Sequence, residues 1–263
     1  MANTSVVSSI SRLGRYEPFN LQVSRGQVTM HASVIVFGYN PDVDTSEESV
    51  WPDGGTVPHP TVASVLKISS SSTDDTSAGT GARTVAIVGL DGNYNEVSES
   101  VILDGQTPVN TGNSYLYVNQ FYVTTVGSGG VNAGNINAGT GVVTAGVPAV
   151  LYDIIATGYN NRTTGHYCVP AGYTGYILQG QFSAGQASGS TAVTGYLKQH
   201  GPDGVLRVGA VSTLNNGTAD YIFEIPYVVP EKNCIGASAI GAATNNSVSS
   251  YFNILLIKNN GQG

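Results

Sequence analysis

Apolar and polar positions along this chain alternate in short runs of β period, and the densest of them lie between residues 81 and 126. Residues 83–89 and 97–103 are separated by Leu-Asp-Gly-Asn-Tyr-Asn, where Asp91-Gly92 tolerates the positive φ of a tight turn. The pattern predicts a β-hairpin. A second turn signal, Asp104-Gly105, closes it, and residues 115–126 then supply a long continuous strand. These three segments are expected to form the centre of one sheet.

Ahead of this region, residues 1–19 read as a Ser-rich arm whose apolar positions are Val6, Val7, Ile10 and Leu13, an extended or partner-dependent segment rather than a free helix. Strands are expected at 20–23, 32–39 and 62–68. Behind it, a Gly- and Asn-rich stretch ends at Ala145-Gly146-Val147-Pro148, a composition suited to a domain boundary. Strand patterns then recur at 150–157, 163–169, 174–183, 191–199, 205–212, 219–229, 234–243 and 248–258, with no helical period between them. In the last of these, Val248, Phe252, Ile254 and Leu256 share one face with Ser250, and Tyr251, Leu255 and Ile257 lie on the other. A strand apolar on both faces belongs in the middle of a sheet or under a neighbouring subunit. The expected fold is all-β: an extended arm (1–20), a first β-sandwich domain (21–147) and a second, jelly-roll-like sandwich domain (148–263).

Composition sharpens this. The 263 residues are 41% apolar, enough for a core, yet only 10% are charged against a usual fraction of about 25%. Ser, Thr, Asn and 34 Gly supply the polarity instead. A net charge of −7 with ten scattered basic residues argues against nucleic acid, which is held through clustered Lys and Arg. No apolar run approaches the roughly 20 residues of a membrane helix, and the first fifteen residues lack a secretory pattern, so folding in a cytosol and no membrane partner are expected. In that compartment Cys168 and Cys234 read as buried free thiols, with a disulfide the less favoured alternative.

Candidate chemistry is sparse. The acidic run Asp42, Asp44, Glu47 and Glu48 offers oxygen ligands for calcium but lacks the Gly and distal Glu of a helix-loop-helix site, which favours a solvated loop. Gly-Thr-Gly-Ala at 79–82 precedes a Val-rich strand rather than the helix a phosphate cradle needs. His31, His59, His166 and His200 are far apart, with no metal-spacing pair among them, and read as surface or strand residues. Asp74-Asp75 sits in a polar loop poorly suited to acid–base work, and no Gly-x-Ser-x-Gly elbow occurs. Trp51 reads as a loop anchor, and the 15 tyrosines as core and interface residues ahead of sugar platforms. The expectation is a non-enzymatic protein with no cofactor and no metal.

The string from Ala78 to Val109, with Ala-Gly-Thr-Gly-Ala-Arg-Thr-Val, Gly-Leu-Asp-Gly-Asn-Tyr-Asn-Glu and Leu-Asp-Gly-Gln-Thr-Pro-Val, resembles a pattern in structural proteins of tailed phages, especially marine and cyanobacterial ones. Tyr167-Cys168-Val169-Pro170-Ala171-Gly172-Tyr173-Thr174 is similar to a second block of theirs, and Val229-Pro230-Glu231-Lys232 with Asn245-Asn246-Ser247-Val248-Ser249 to their closing hairpin. The resemblance covers residues 58–258. It implies a virion component, assembled in the host cytoplasm. With the β-only pattern and weakly charged surface, it favours a capsid cement or decoration protein, a homotrimer bound to the major capsid protein. In that reading Val6, Val7, Ile10 and Leu13 anchor the arm on the shell while Arg12 and Arg15 meet acidic groups there. The alternative is a tail or head fibre protein binding a host surface glycan.

Overall fold

The computed structural model describes residues 17–186 and 191–259. The proposed arm contacts Val6, Val7, Ile10, Arg12, Leu13 and Arg15 lie outside the described residues. A short helix, α1 (Phe19–Ser24), leads into β1 (His31–Val43) and β2 (Glu48–Ser49). Then come β3 (Ser64–Ser70), β4 (Ala82–Leu90), β5 (Glu96–Ile102), β6 (Val109–Tyr115), β7 (Tyr117–Val126), β8 (Ile136–Thr144) and β9 (Val147–Ile155). The chain ends with β10 (His166–Cys168), β11 (Tyr173–Gln186), β12 (Ala192–His200), β13 (Leu206–Asn215), β14 (Gly217–Val229), β15 (Cys234–Gly241) and β16 (Asn246–Lys258).

All-β architecture is as the alternation predicts. One sheet has the order β1-β16-β11-β14 and a second the order β10-β15-β12-β13, with β2 added to β15. Every pairing is antiparallel, and these two orders are those of a jelly roll, in which two Greek keys close a double sheet. Its core joins both sheets: Val36, Ile177, Phe252, Ile254 and Leu256 from one meet Tyr167 and Ile235 from the other. β16 lies between β1 and β11, which accounts for its two apolar faces.

The remaining strands form a second unit, with sheets β6-β3-β8-β9 and β5-β4-β7 around a core of Leu66, Ile68, Val85, Ile87, Phe121 and Ile136. The expected β4–β5 hairpin is present, with Val85 opposite Val101, and β7 joins it through β4. This unit is inserted between β2 and β10 of the jelly roll. The expected boundary at residue 147 therefore corresponds to no break: it falls in the β8–β9 hairpin, where Thr144 pairs with Val147. β1, assigned from sequence order to the first domain, pairs along its length with the last strand, from His31 opposite Ile257 to Val43 opposite Asn246.

Two local expectations also change. Residues 20–23 lie in α1, because Pro18 fixes a helix-compatible φ and its carbonyl accepts the amides of Leu21 and Gln22 at 3.0 and 3.1 Å. Four apolar-mixed residues are too few to distinguish period 2 from 3.6. Residues 115–126 are not one strand: Tyr115 pairs with Ser64 in one sheet and Tyr117 with Leu90 in the other. The chain changes sheets at Leu116, whose amide donates to the Leu90 carbonyl at 2.7 Å.

The two units meet where β1 passes the segment returning from the insertion. Tyr39 donates its amide to the Thr163 carbonyl at 2.9 Å, and Gly38 faces Gly165 so closely that a Cβ on Gly38 would lie 2.7 Å from the Gly165 Cα and 2.6 Å from both the Val50 carbonyl oxygen and Ser250 Oγ. Two backbones approach here because neither carries a side chain. Gly38→Ala is expected to cost about 1–3 kcal/mol, the usual cost of overpacking, as a lower urea midpoint at unchanged m-value; an unshifted midpoint would contradict this reading of the contact.

Candidate functional site

The insertion forces its outgoing and returning segments to run side by side, and both carry a histidine. His59 lies on the outgoing segment in Pro58-His59-Pro60, where the two prolines hold the backbone extended. His166 opens β10 on the return. His200 ends β12, the neighbour of β15, and pairs in register with Cys234, which in turn pairs with Cys168 on β10. Three of the four histidines thus converge although no spacing in sequence links them. One ring nitrogen from each lies within 4.8 Å of those of the other two. Ring centroids are 4.4 Å apart for His59 and His166, 6.1 Å for His59 and His200 and 6.0 Å for His166 and His200. The fourth, His31, stacks edge-on with Phe19 elsewhere.

Cys168 and Cys234 form a disulfide beside this cluster, which corrects the expectation of free thiols: the strand register sets them directly opposite one another. Cys168 Sγ lies 3.7 Å from His166 Nε2. Tyr117 caps the cluster, its ring 4.8 Å from that of His59. Behind it, Asn119 clasps the Cys168 backbone in both directions, donating to its carbonyl at 2.8 Å and accepting its amide at 2.9 Å. Arg162 donates to the Asn119 carbonyl at 2.6 Å and the His166 carbonyl at 3.2 Å, and forms a buried ion pair with Asp153 at 2.5 Å. The backbone that carries His166 is therefore tied to the inserted unit through Asn119 and Arg162. On its open side the cluster borders a cavity of about 420 Å³, which Glu47 and Lys198 also line.

Burial is the leading reason why all three imidazoles are hard to protonate, with mutual repulsion and the Arg162 charge adding to it at His59 and His166. His59 is pushed down to about 3. The groups are neutral at physiological pH, each ring offering one unprotonated nitrogen.

The acidic run does not gather as a calcium site. Glu48 accepts from Asn40 Nδ2 and the Gly55 amide, both at 3.1 Å, and from the Asp44 amide at 3.2 Å. Glu47 is paired with Lys198 and accepts from Ser238 Oγ at 2.7 Å. Glu48 is thus buried and bonded, while Asp42 and Glu47 stay exposed as the solvated-loop reading expects. Asp75 accepts the amide of Ala82 at the end of its own loop at 2.6 Å and those of Ala133 and Gly134 in the β7–β8 loop at 2.8 and 2.9 Å, so the Gly-Thr-Gly-Ala turn closes around a carboxylate of the chain itself. Trp51 does anchor a loop: it is buried with Val57, Leu151 and Ile154 and donates Nε1–H to the Gly54 carbonyl at 2.6 Å.

No protein-family model and no curated protein matches the sequence. Among solved structures, the chain is similar to the infectious bursal disease virus Gx strain structure at 10% identity, TM-score 0.22, covering 89% of this chain and 73% of that one. It is similar to the VP2 subviral particle of the same virus at 10% identity, TM-score 0.23, with the same coverage. Likeness this loose carries no argument about fold or function.

The histidines give a pH dependence with a definite sign. Their folded-state values lie below the ordinary 6.5, so below that pH the unfolded chain binds more protons than the folded one. Stability from this source is complete above about pH 7 and is lost as the pH falls through 6.5. Thermal midpoints are expected to drop between pH 7 and 5, and to drop less in His59→Gln; a midpoint flat over that range would contradict the neutral assignment.

Proposed function

We propose that the chain is a non-enzymatic structural subunit of a tailed-phage virion, acting in the head as an oligomeric cement or decoration protein. The observation that carries this reading is the outer face of the β1-β16-β11-β14 sheet. Across it run Ser33, Leu255, Tyr176 and Val228 in one row, Ile35, Asn253, Gln179 and Ile222 in the next, and Phe37, Tyr251, Gln181 and Asp220 in a third. Ile35 is 69% exposed, Ile222 81% and nearby Ile225 87%. Apolar, aromatic and amide side chains with one carboxylate at the margin make a surface suited to burial against another subunit, since interface cores are depleted of charge and enriched in aromatics.

The resemblance of residues 58–258 to tailed-phage structural proteins supports the virion setting. The jelly roll is consistent with it, although the same architecture serves virus shells, lectins and cupins, and fold alone does not assign function. Its use in lectins is what favours the second reading, a tail or head fibre protein binding a host glycan; a glycan array showing saturable binding would move the assignment there.

In the cement reading the partners are the major capsid protein and two further copies of this chain, and the arm is the capsid-binding element. Deleting residues 1–19 is expected to abolish co-sedimentation with capsids that lack the protein; unchanged binding would contradict the role of Val6, Val7, Ile10, Arg12, Leu13 and Arg15. Phe37→Glu, on the exposed face, is expected to convert the trimer to monomer by light scattering while leaving the β circular dichroism intact. A monomeric wild type, or a trimer unaffected by the change, would contradict the interface.

A further inference from the structure

The geometry points to a divalent transition-metal site formed by His59, His166 and His200, which staples the inserted unit to the jelly roll. Three observations carry it. The three ligating nitrogens already lie within 4.8 Å of one another. A tetrahedral ion with metal–nitrogen bonds of about 2.0–2.1 Å places its ligands roughly 3.3 Å apart. The closure needed is thus at most about 1.5 Å, within the range of side-chain rotations for His59 and His200, which are only partly buried. The second observation is the backbone support. His166 is 8% exposed, and the segment carrying it is held by Arg162 and by the two-way clasp of Asn119 on Cys168; ligands positioned by such surroundings are the ones that bind metal well. The third is that, among the described residues, the only hydrogen-bond-range contact of a ring nitrogen in the cluster is His166 Nε2 with the Cys168 sulfur at 3.7 Å. Three neutral imidazoles otherwise face one another.

A set of neutral imidazoles suits late first-row divalent ions such as Zn²⁺ and Co²⁺ rather than calcium or magnesium, which require oxygen. Arg162 lies near enough to oppose a cation, and its pairing with Asp153, like that of Lys198 with Glu47, offsets part of that charge. Three protein ligands leave one position, and it opens on the cavity of about 420 Å³, where water completes the coordination. Glu47 and Glu48 border that cavity, but Lys198, Ser238, Asn40 and backbone amides engage their oxygens. Each ligand comes from a different place in the fold: the outgoing segment, the first strand of the return and the end of β12. A bound ion therefore cross-links segments far apart in sequence, and its effect is on the junction between the two units.

The test uses tag-free, full-length protein with the disulfide verified by thiol titration, stripped with chelator and titrated with Zn²⁺ by calorimetry and with Co²⁺ by visible absorption. One equivalent is expected to bind, with the intense visible bands of a tetrahedral Co²⁺ site and a thermal midpoint that rises with Zn²⁺ concentration. His59→Gln and His200→Gln should each weaken binding by at least the roughly 10- to 100-fold that follows loss of even an outer-shell partner, whereas His31→Gln should leave it unchanged. His59 and His200 are used because His166 is buried and its replacement risks the fold. Failure to bind one equivalent, equal binding by His59→Gln, or binding only after the disulfide is reduced would each overturn the three-histidine site, the last in favour of thiolate ligation. None of these outcomes bears on capsid attachment, so the site stands or falls independently of the proposed function.

Discussion

Pairing of β1 with β16 closes the jelly roll, and the rest of the molecule depends on it. Without it the sheet β1-β16-β11-β14 has no fourth strand, β16 loses the neighbour that buries Phe252 and Ile254 against Val36, and residues 31–43 have no sheet to join. Because the partners lie at opposite ends of the chain, everything between β2 and β10 becomes an insertion. An inserted unit has its entry and exit close together, and this brings His59 beside His166 and lets Gly38 pass against Gly165. Topology, and not local motif, builds the candidate site.

Local features of the fold were legible in the sequence for a physical reason. Turn chemistry such as Asp91-Gly92 and period-2 alternation are short-range, so the β4–β5 hairpin and the eight strands from β9 to β16 could be placed within a few residues. The double-sided apolar pattern of β16 even indicated a central position. Long-range pairing was not legible: nothing in residues 31–43 says that the partner is at 246–257 and not in the adjacent Val-rich runs. The domain boundary failed for the same reason, since Ala145-Gly146 is a hairpin turn and its small residues look the same as a linker. At Leu116 a strand changes sheets without any Gly or Pro to mark it.

The site was hidden in a different way. Metal-binding patterns read from sequence rely on ligands that share a helix or a hairpin, whereas here the ligands come from three separate strands or loops. Two signals were available in retrospect. Pro58-His59-Pro60 is a rigid presentation of one imidazole, and His166-Tyr167-Cys168 puts an imidazole and a sulfur on the same face of one strand. Compartment alone favours free thiols at Cys168 and Cys234; the register that sets them opposite one another decides for the disulfide.

A low-charge jelly roll with an apolar outer face and an inserted sandwich suits the proposed reading of a subunit that buries that face against further copies on a shell. The most direct test of that account is the copy number of this chain in purified virions, by quantitative staining against the major capsid protein. The account predicts a value on the order of hundreds, as icosahedral symmetry multiplies a surface subunit. A handful of copies per particle would contradict it and place the protein in the tail or its fibres.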